Sequence, residues 1–289
     1  MRSRYDWVIW GFLLAGLAIT TVFVLVPVLH AIGLSLHSAQ SFIAKPVWVG
    51  FDNYARILSE PTFWRAALNG LIYAGGSIVL QVVLGIAFAL VLNNAFPGQK
   101  LVRGLAVLPY LLPTVVVALT FQWMMDGSFG LLTALAREMG FGIVPWFERP
   151  GTAMATTIAL SVWLWTPFVT VCFLAGLQSV PQALYDAAKV DGAGAFSRFL
   201  HVTLPQLRPV LTVVVLLRAI WMFNKFDIIW LMTKGGPLGA TEHLPVLAYK
   251  RAFSLFDVGG GAAVATLSFL MLCTVVAIYF RLFPLEEKK

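Results

Sequence analysis

The string "LRAIWMFNKFDIIW", residues 217–230, places two cations, an acid and two indoles inside an otherwise apolar run. Ionisable side chains at membrane depth are costly and face a cavity or a partner. Arg218, Trp221 and Lys225 fall at i, i+3 and i+7, hence on one helical face. Asp227 lies nine residues from Arg218, about half a turn round, which disfavours pairing of the two within one helix. Trp221 and Trp230 offer flat faces for a sugar ring, with Asn224 beside them as a polar contact, and Trp123, Trp163 and Trp165 add further indoles. This chemistry suits binding of a sugar or polyol, and two cations on one face suit an anionic substituent. A blander reading stands beside it: Lys225 and Asp227 snorkel to a surface, and Arg218 bridges to another subunit.

The second chemically distinct string is "SVPQALYDAAKVDGAGAFSRFLHVTLP", residues 179–205. Ser179 and Gln182 have the spacing of a capping box, with Pro181 in the first turn. A short helix then runs to about Val190, punctuated by Gly192 and Gly194. A second short helix over "AFSRFLHV" sets Phe196, Phe199 and Leu200 on one face, and Pro205 stops it. On the first helix Asp186 and Lys189 lie three apart, while Ala187 and Ala188 add almost no bulk. Two short helices joined by glycines form a projecting knob, either for docking a partner or as an amphipathic hairpin resting on lipid.

The elements that carry both strings are set by composition. The 289 residues are 60% hydrophobic and 11% charged, against about a quarter charged in a soluble domain. The chain is a polytopic membrane protein. Its net charge of +7 comes without a Lys/Arg run or basic-aromatic patch, so nucleic acid is not a partner. Cys172 and Cys273 lie in apolar segments and read as small core residues. His30, His37, His201 and His243 are scattered without metal spacing, which speaks against a metal site and a membrane enzyme.

Six stretches reach the roughly 20 apolar residues a span needs: about 8–34, 66–93, 104–125, 153–178, 209–232 and 259–282. The first run is too long for the h-region of a signal peptide and is expected to be retained as a helix. The fold class is all-α, with six transmembrane helices. Pro109 and Pro113 kink the third. Asn69, Tyr73, Ser77, Gln81 and Gly85 wind round the second at intervals of four, either as a packing seam or along a solute path. Between spans, Asp52 is expected to cap a helix over "FDNYARIL", and Gly140 to end one over "GLLTALAREMG". With both termini cytoplasmic, inner segments hold ten basic residues in about 55 positions and outer ones eight in about 77, a mild bias of the expected sign.

At this point the residues resemble a known family. "YDAAKVDGAGAFSRFLHVTLPQLRP" is similar to the EAA loop of ABC importer permeases, with Asp186, Ala187, Ala188, Gly192, Val202, Leu204 and Pro205 in register. Asp186 stands where the family most often has Glu, shortening the carboxylate's reach by one methylene. "GFDNYARIL…FWRAALNGL", "LPYLLPTVV", "FNKFDIIWLMTKGGP" and "ATEHLPVLAYKRAF" look like the carbohydrate-type branch, the relatives of maltose and glycerol-phosphate permeases.

The resemblance implies a type I ABC importer fold, with the knob as a cytoplasmic coupling helix in a groove of an ATP-binding subunit. It implies residues 1–64 as a first helix and extracytoplasmic loop, 65–283 as the permease core with its coupling loop at about 179–208, and 284–289 as a cytoplasmic tail. The implied partners are a second permease of a different chain, two ATP-binding subunits and an extracytoplasmic binding protein that delivers the solute. The place implied is the bacterial inner membrane. The chain lacks G-x-x-x-x-G-K-[ST], so ATP and Mg belong to the partner ATPase and no cofactor to this chain. A secondary active transporter is the alternative, disfavoured because Asp227 is the lone carboxylate placed to couple an ion.

Overall fold

A computed structural model describes residues 6–39, 41, 43 and 45–283, residues 6–8 by their backbone alone. The expected tail 284–289, and the charges of Arg2, Arg4, Lys288 and Lys289, lie outside them. Twelve helices and one two-stranded hairpin make up the described chain. Five helices are long and apolar enough to cross a membrane: α1 (Ile9–Ser35), α3 (Pro61–Asn93), α7 (Pro150–Gln178), α9 (Ala195–Phe223) and α12 (Val258–Leu282). A sixth crossing is the bent pair α4 (Gln99–Leu111) and α5 (Thr114–Met124), which meet at 91°. Shorter helices fill the connections: α2 (Asp52–Ser59), α6 (Leu131–Glu138), α8 (Gln182–Val190), α10 (Asp227–Thr233) and α11 (Leu244–Tyr249).

The chain divides into two compact units. One comprises the residues up to Arg65 together with Leu247–Leu270. In it, β1 (His37–Ser38) pairs antiparallel with β2 (Val47–Trp48), His37 opposite Trp48. The buried Asn53 amide of α2 donates to the carbonyls of Ser35 and His37 at 2.9 and 3.0 Å. Arg56 pairs with Asp257 at 3.0 Å, and Arg251 joins Glu60 to the same aspartate. Asp52 does not cap α2. Phe51 holds the cap position, and Asp52 sits in the first turn, where its charge complements the helix dipole.

The other unit comprises Ala66–Val246 and the residues from Met271 on. Its core is assembled by α7, which packs against α4, α9 and α10, while α10 also packs against α5. Tyr73, Leu160, Leu164, Met222, Ile228 and Ile229 form one buried cluster, and Phe173, Leu177, Leu207 and Val214 another. The four-spaced stripe of α3 is a packing seam. The hydroxyls of Tyr73 and Ser161 lie 2.6 Å apart, the Gln81 amide reaches the Ser161 carbonyl at 3.3 Å, and Gly85 admits Val169. Asn69 donates to the carbonyls of Gly239 and Glu242 at 2.8 and 2.9 Å, pinning a loop with consecutive residues Lys234 and Gly235 at positive φ.

Prolines shape the third and fifth crossings differently. In the third, Pro113 caps α5 in extended conformation. Pro113 also holds Leu112 extended, so the helix breaks there. In the fifth, Pro205 does not stop the chain. A π turn over Phe199–Thr203 widens the ladder, the Leu204 amide bonds the Phe199 carbonyl, and the helix runs on to Phe223. The missing N–H of Pro205 falls where the ladder already shifts register, so it breaks nothing further. What reads as a second knob helix is therefore the start of α9. The same crossing ends nine residues before its expected limit of 232. Asn224 caps α9, and α10 begins anew with Asp227 in its first turn. Apolar residues flank the break on both sides, so Asn224, Lys225 and Asp227 read as polar interruptions of one span rather than as its end. Gly140 does end α6, at φ +86° with Phe141 bonded back to Ala136.

Candidate functional site

Two sites stand out, a knob outside the spans and a cleft within them. At the knob, Ser179 does not form the expected capping box. Its hydroxyl donates to the Gly176 carbonyl at 2.8 Å and closes α7, while Pro181 caps α8. Gln182 is therefore the first residue of α8, too early to reach back, and its amide instead donates to the Asp186 carboxylate at 3.3 Å. Lys189 approaches the same oxygen at 3.1 Å. Lys189 first, and then Gln182, hold the Asp186 carboxyl below the usual carboxylate range, so it stays ionised.

The C-terminus of α8 is a Schellman turn. Gly192 sits at φ +76°, its amide bonds the Lys189 carbonyl at 3.0 Å, and Ala193 bonds Ala188 at 2.9 Å. Arg198 fastens the turn to α9 by donating to the Ala193 carbonyl at 2.7 Å, and the Tyr185 and Thr203 hydroxyls meet at 3.1 Å. The knob is thus one capped helix braced against the root of a span. It presents Asp186 and Ala187 outward, with Ala188 half-buried. Leu204 and Pro205 lie in α9 and stiffen that root rather than joining the exposed face. Val190 is 88% exposed and Phe196 74%. Sequence reasoning had passed over Val190, since a single valine at a helix end carries no periodic signal.

The cleft lies where α9 breaks. About 400 Å³ is enclosed by Tyr110, Trp165, Arg218, Trp221, Asn224 and Lys225, with Ile220 and Met222 completing the wall. Arg218 is wholly buried at its floor. Its Nε donates to the Gln81 carbonyl oxygen at 2.7 Å, and Nη2 lies 3.3 Å from the Met222 sulfur. Trp165 and Trp221 flank the guanidinium at 5.3 and 5.7 Å from their ring centroids. Lys225 Nζ stands 4.3 Å from the Trp165 centroid and 3.0 Å from Asp227. Two buried donors here, Arg218 Nη1 and Trp165 Nε1, have no hydrogen-bond partner among the described residues. A buried donor without an acceptor costs about 1–3 kcal/mol, so the two mark the polar wall of the cleft.

Five of the six residues singled out from the sequence meet at this cleft or its rim: Arg218, Trp221, Asn224 and Lys225 line it, and Asp227 pairs with Lys225. Lys225 arrives by the helix break rather than by i+7 spacing, and His243 fixes it there by donating from Nε2 to its carbonyl at 3.0 Å. Trp230 is not brought to the cleft. It stacks on Phe226 at 5.6 Å and packs against the core. Tyr110 is the contributor that sequence reasoning did not name for the solute, visible only as part of a proline-rich kink. Gln81 belongs to the polar stripe that reads as a packing seam or a solute path.

Residues 81–284 match the family described as the binding-protein-dependent transport system inner membrane component. The chain belongs to this family. It is thus a multi-pass inner membrane component of a binding-protein-dependent transporter, and the secondary-transporter alternative finds no support. The trehalose/maltose transport system permease protein MalF of Thermococcus litoralis is 37% identical over 265 residues, covering 92% of this chain and 90% of that relative. The sulfoquinovosyl glycerol transport system permease protein SmoG of Agrobacterium fabrum is 32% identical, with 95% and 90% covered. Among solved structures, a chain of a bacterial ABC transporter that imports the acidic polysaccharide alginate superposes with a TM-score of 0.83. It shares 22% identity, and 96% of each chain is covered. At that identity the likeness concerns the fold, that of a type I ABC importer permease.

Proposed function

We propose that this chain is one permease half of an ABC importer and passes a sugar or sugar derivative through the cleft at the α9 break. The observation that carries the reading is the pair of unpartnered buried donors, Arg218 Nη1 and Trp165 Nε1, between aromatic walls. Indole faces stack on sugar rings, and the donors take hydroxyl or acid oxygens. The Thermococcus litoralis relative is named for trehalose and maltose, the Agrobacterium fabrum one for sulfoquinovosyl glycerol. A cleft with Arg218 and Lys225 on it favours a solute bearing an anionic group over a neutral one.

ATP is hydrolysed in a separate subunit that receives α8, and both termini lie on that side of the membrane. Asp186 presents charge to the subunit's groove, Ala187 and Ala188 permit close approach, and exposed Val190 and Phe196 supply apolar contact. A second permease completes the pathway, and a binding protein delivers the solute to the opposite face. The states are linked, so ATP and solute each act by preferring one arrangement of the helices.

The test is uptake by the complex reconstituted with its binding protein, with neutral and anionic sugars in competition. Lys225→Ala and Arg218→Ala are expected to reduce uptake of the anionic solute by at least tenfold, the equivalent of one lost charge-assisted hydrogen bond at about 1.5–3 kcal/mol. Unchanged transport of both solute classes in both variants would remove the cleft from the pathway.

A further inference from the structure

Arg218 is held in an unusual way for a cation inside a span. It is wholly buried, yet its anchor is an amide and not a carboxylate. Nε donates to Gln81 Oε1 at 2.7 Å, and Nη2 lies 3.3 Å from the Met222 sulfur. Nε and Nη2 share one edge of the planar guanidinium, so that edge is occupied. Nη1 is the nitrogen left without a partner among the described residues.

The Gln81 amide has no freedom to turn over. It too is wholly buried. Its Nε2 donates to the Ser161 carbonyl at 3.3 Å, and the hydroxyl of the same serine meets that of Tyr73 at 2.6 Å. A carbonyl on one side and a guanidinium on the other admit one orientation, oxygen toward Arg218. Gln81 therefore fixes the guanidinium that Trp165 and Trp221 flank.

No internal acid offsets this cation. Helices α3, α4, α5, α7 and α9 contain no Asp or Glu, and α10 contains Asp227 alone. Asp227 pairs with Lys225 at 3.0 Å. That pair is neutral as a unit, and Arg218 carries the uncompensated charge of the cleft. A buried arginine that only fills a core is paired, because an unpaired charge in a span is costly. A glutamate at position 81 would differ by one heavy atom from the residue present and would supply the counterion. The chain carries the neutral isostere there instead.

We propose, on the reading that this cleft is the solute path, that Gln81 sets its charge preference. As a positioning residue it aims the guanidinium through Nε. As a neutral one it leaves the charge for an acid group on the solute. Nη1 is then the donor that meets the acid oxygen, beside the indole faces that take the ring. Gln81→Glu would satisfy Arg218 from within and make the cleft indifferent to solute charge.

The experiment measures affinity in the assembled transporter without its binding protein, so the selectivity of that protein does not enter. The probes are methyl glucoside and methyl glucuronide, which differ only in a hydroxymethyl or carboxylate group on the ring. Each is titrated at constant ionic strength, and its dissociation constant is taken from the rise in thermal midpoint. The wild type is expected to prefer the glucuronide, and Arg218→Ala to lose that preference. Gln81→Glu is expected to lose about tenfold of it, the equivalent of one charge-assisted hydrogen bond. Gln81→Met, of similar size and without the acceptor, loses about threefold by freeing the guanidinium to turn. It adds no charge and so reports even where the Glu variant fails to assemble. A merely structural glutamine would weaken both probes alike. Equal weakening of both probes, or full preference in either Gln81 variant, overturns the role of Gln81 while loss of preference in Arg218→Ala leaves the cleft standing. A wild type without preference, or an Arg218→Ala variant that keeps it, overturns the anion reading itself and the role of Gln81 with it.

Discussion

Replacing Gly192 isolates the mechanical role of the coupling knob from its chemistry. A Cβ at this position would meet no atom within 4 Å, so crowding contributes nothing. The whole cost lies in φ, which is +76°. An L-residue held in the left-handed region costs about 1–2 kcal/mol, Asn less because its side chain bonds locally, and a β-branched residue more. A loss of 1–2 kcal/mol shifts the population of the closed turn by about 5- to 30-fold. The same turn carries the Gly192–Lys189 and Ala193–Ala188 bonds and the Arg198 anchor, so a displaced knob rotates away from the root of α9. The expected order of coupling is Gly, Asn, Ala, Val. The assay is the number of solute molecules imported per ATP hydrolysed, in proteoliposomes containing the whole transporter and its binding protein. Membrane insertion and assembly should be equal across the series, because α8 touches no core cluster. Equal coupling in Gly192→Asn and Gly192→Val would refute the reasoning, since the two have the same space and differ in φ preference.

Other outcomes follow from single contacts. Asp186→Arg replaces an exposed carboxylate with a second cation beside Lys189 and is expected to abolish ATP-driven uptake while the protein still inserts; Asp186→Glu should retain it. A Gly85→Val side chain would place its Cβ 2.6 Å from Val169 Cγ1 and 3.3 Å from the Thr170 amide nitrogen. Overpacking of this kind costs about 1–3 kcal/mol, read as a lower thermal midpoint in detergent, and Gly85→Ala should cost less. His243 is wholly buried, and burial pushes its pKa down to about 4. The unfolded chain takes up a proton that the folded chain refuses, so stability falls as pH drops from about 6.5 to about 4. The loss totals about 3 kcal/mol. His243→Gln should flatten that dependence of the thermal midpoint, and parallel curves would contradict it.

Much of this molecule is legible in its residues because lipid leaves few options. Backbone groups without water require helices, so long apolar runs translate directly into α1, α3, α7 and α12. Gly140 and Gly192 end their helices as positive-φ caps should. The misreadings share one cause, local rules applied where a register shift or a neighbour decides. Pro205 ordinarily ends a helix, but the π turn before it had already moved the ladder. At residues 224–226 polarity alone does not mark a break, because a capping Asn and a carbonyl bond from distant His243 do the work. Ser179 had two available partners, and donation to the carbonyl of the helix it closes won over acceptance from an amide of the one that follows. The cleft was half visible. Arg218, Trp221 and Lys225 declare themselves as costly residues in an apolar run, whereas Gln81 and Tyr110 become partners only once α3 and α4 pack against α7.

The bend at Pro113 also governs how the third crossing is made. A straight helix needs about 20 apolar residues to cross the bilayer. Here the halves on either side of the bend are 13 and 11 residues long, and neither bridges the bilayer alone. The carbonyls freed at the bend require protein neighbours rather than lipid. Those neighbours are α7 for the first half and α10 for the second, and both are synthesised later. The bent form of the third crossing is therefore completed only once residues 150–178 and then 227–233 pack against it.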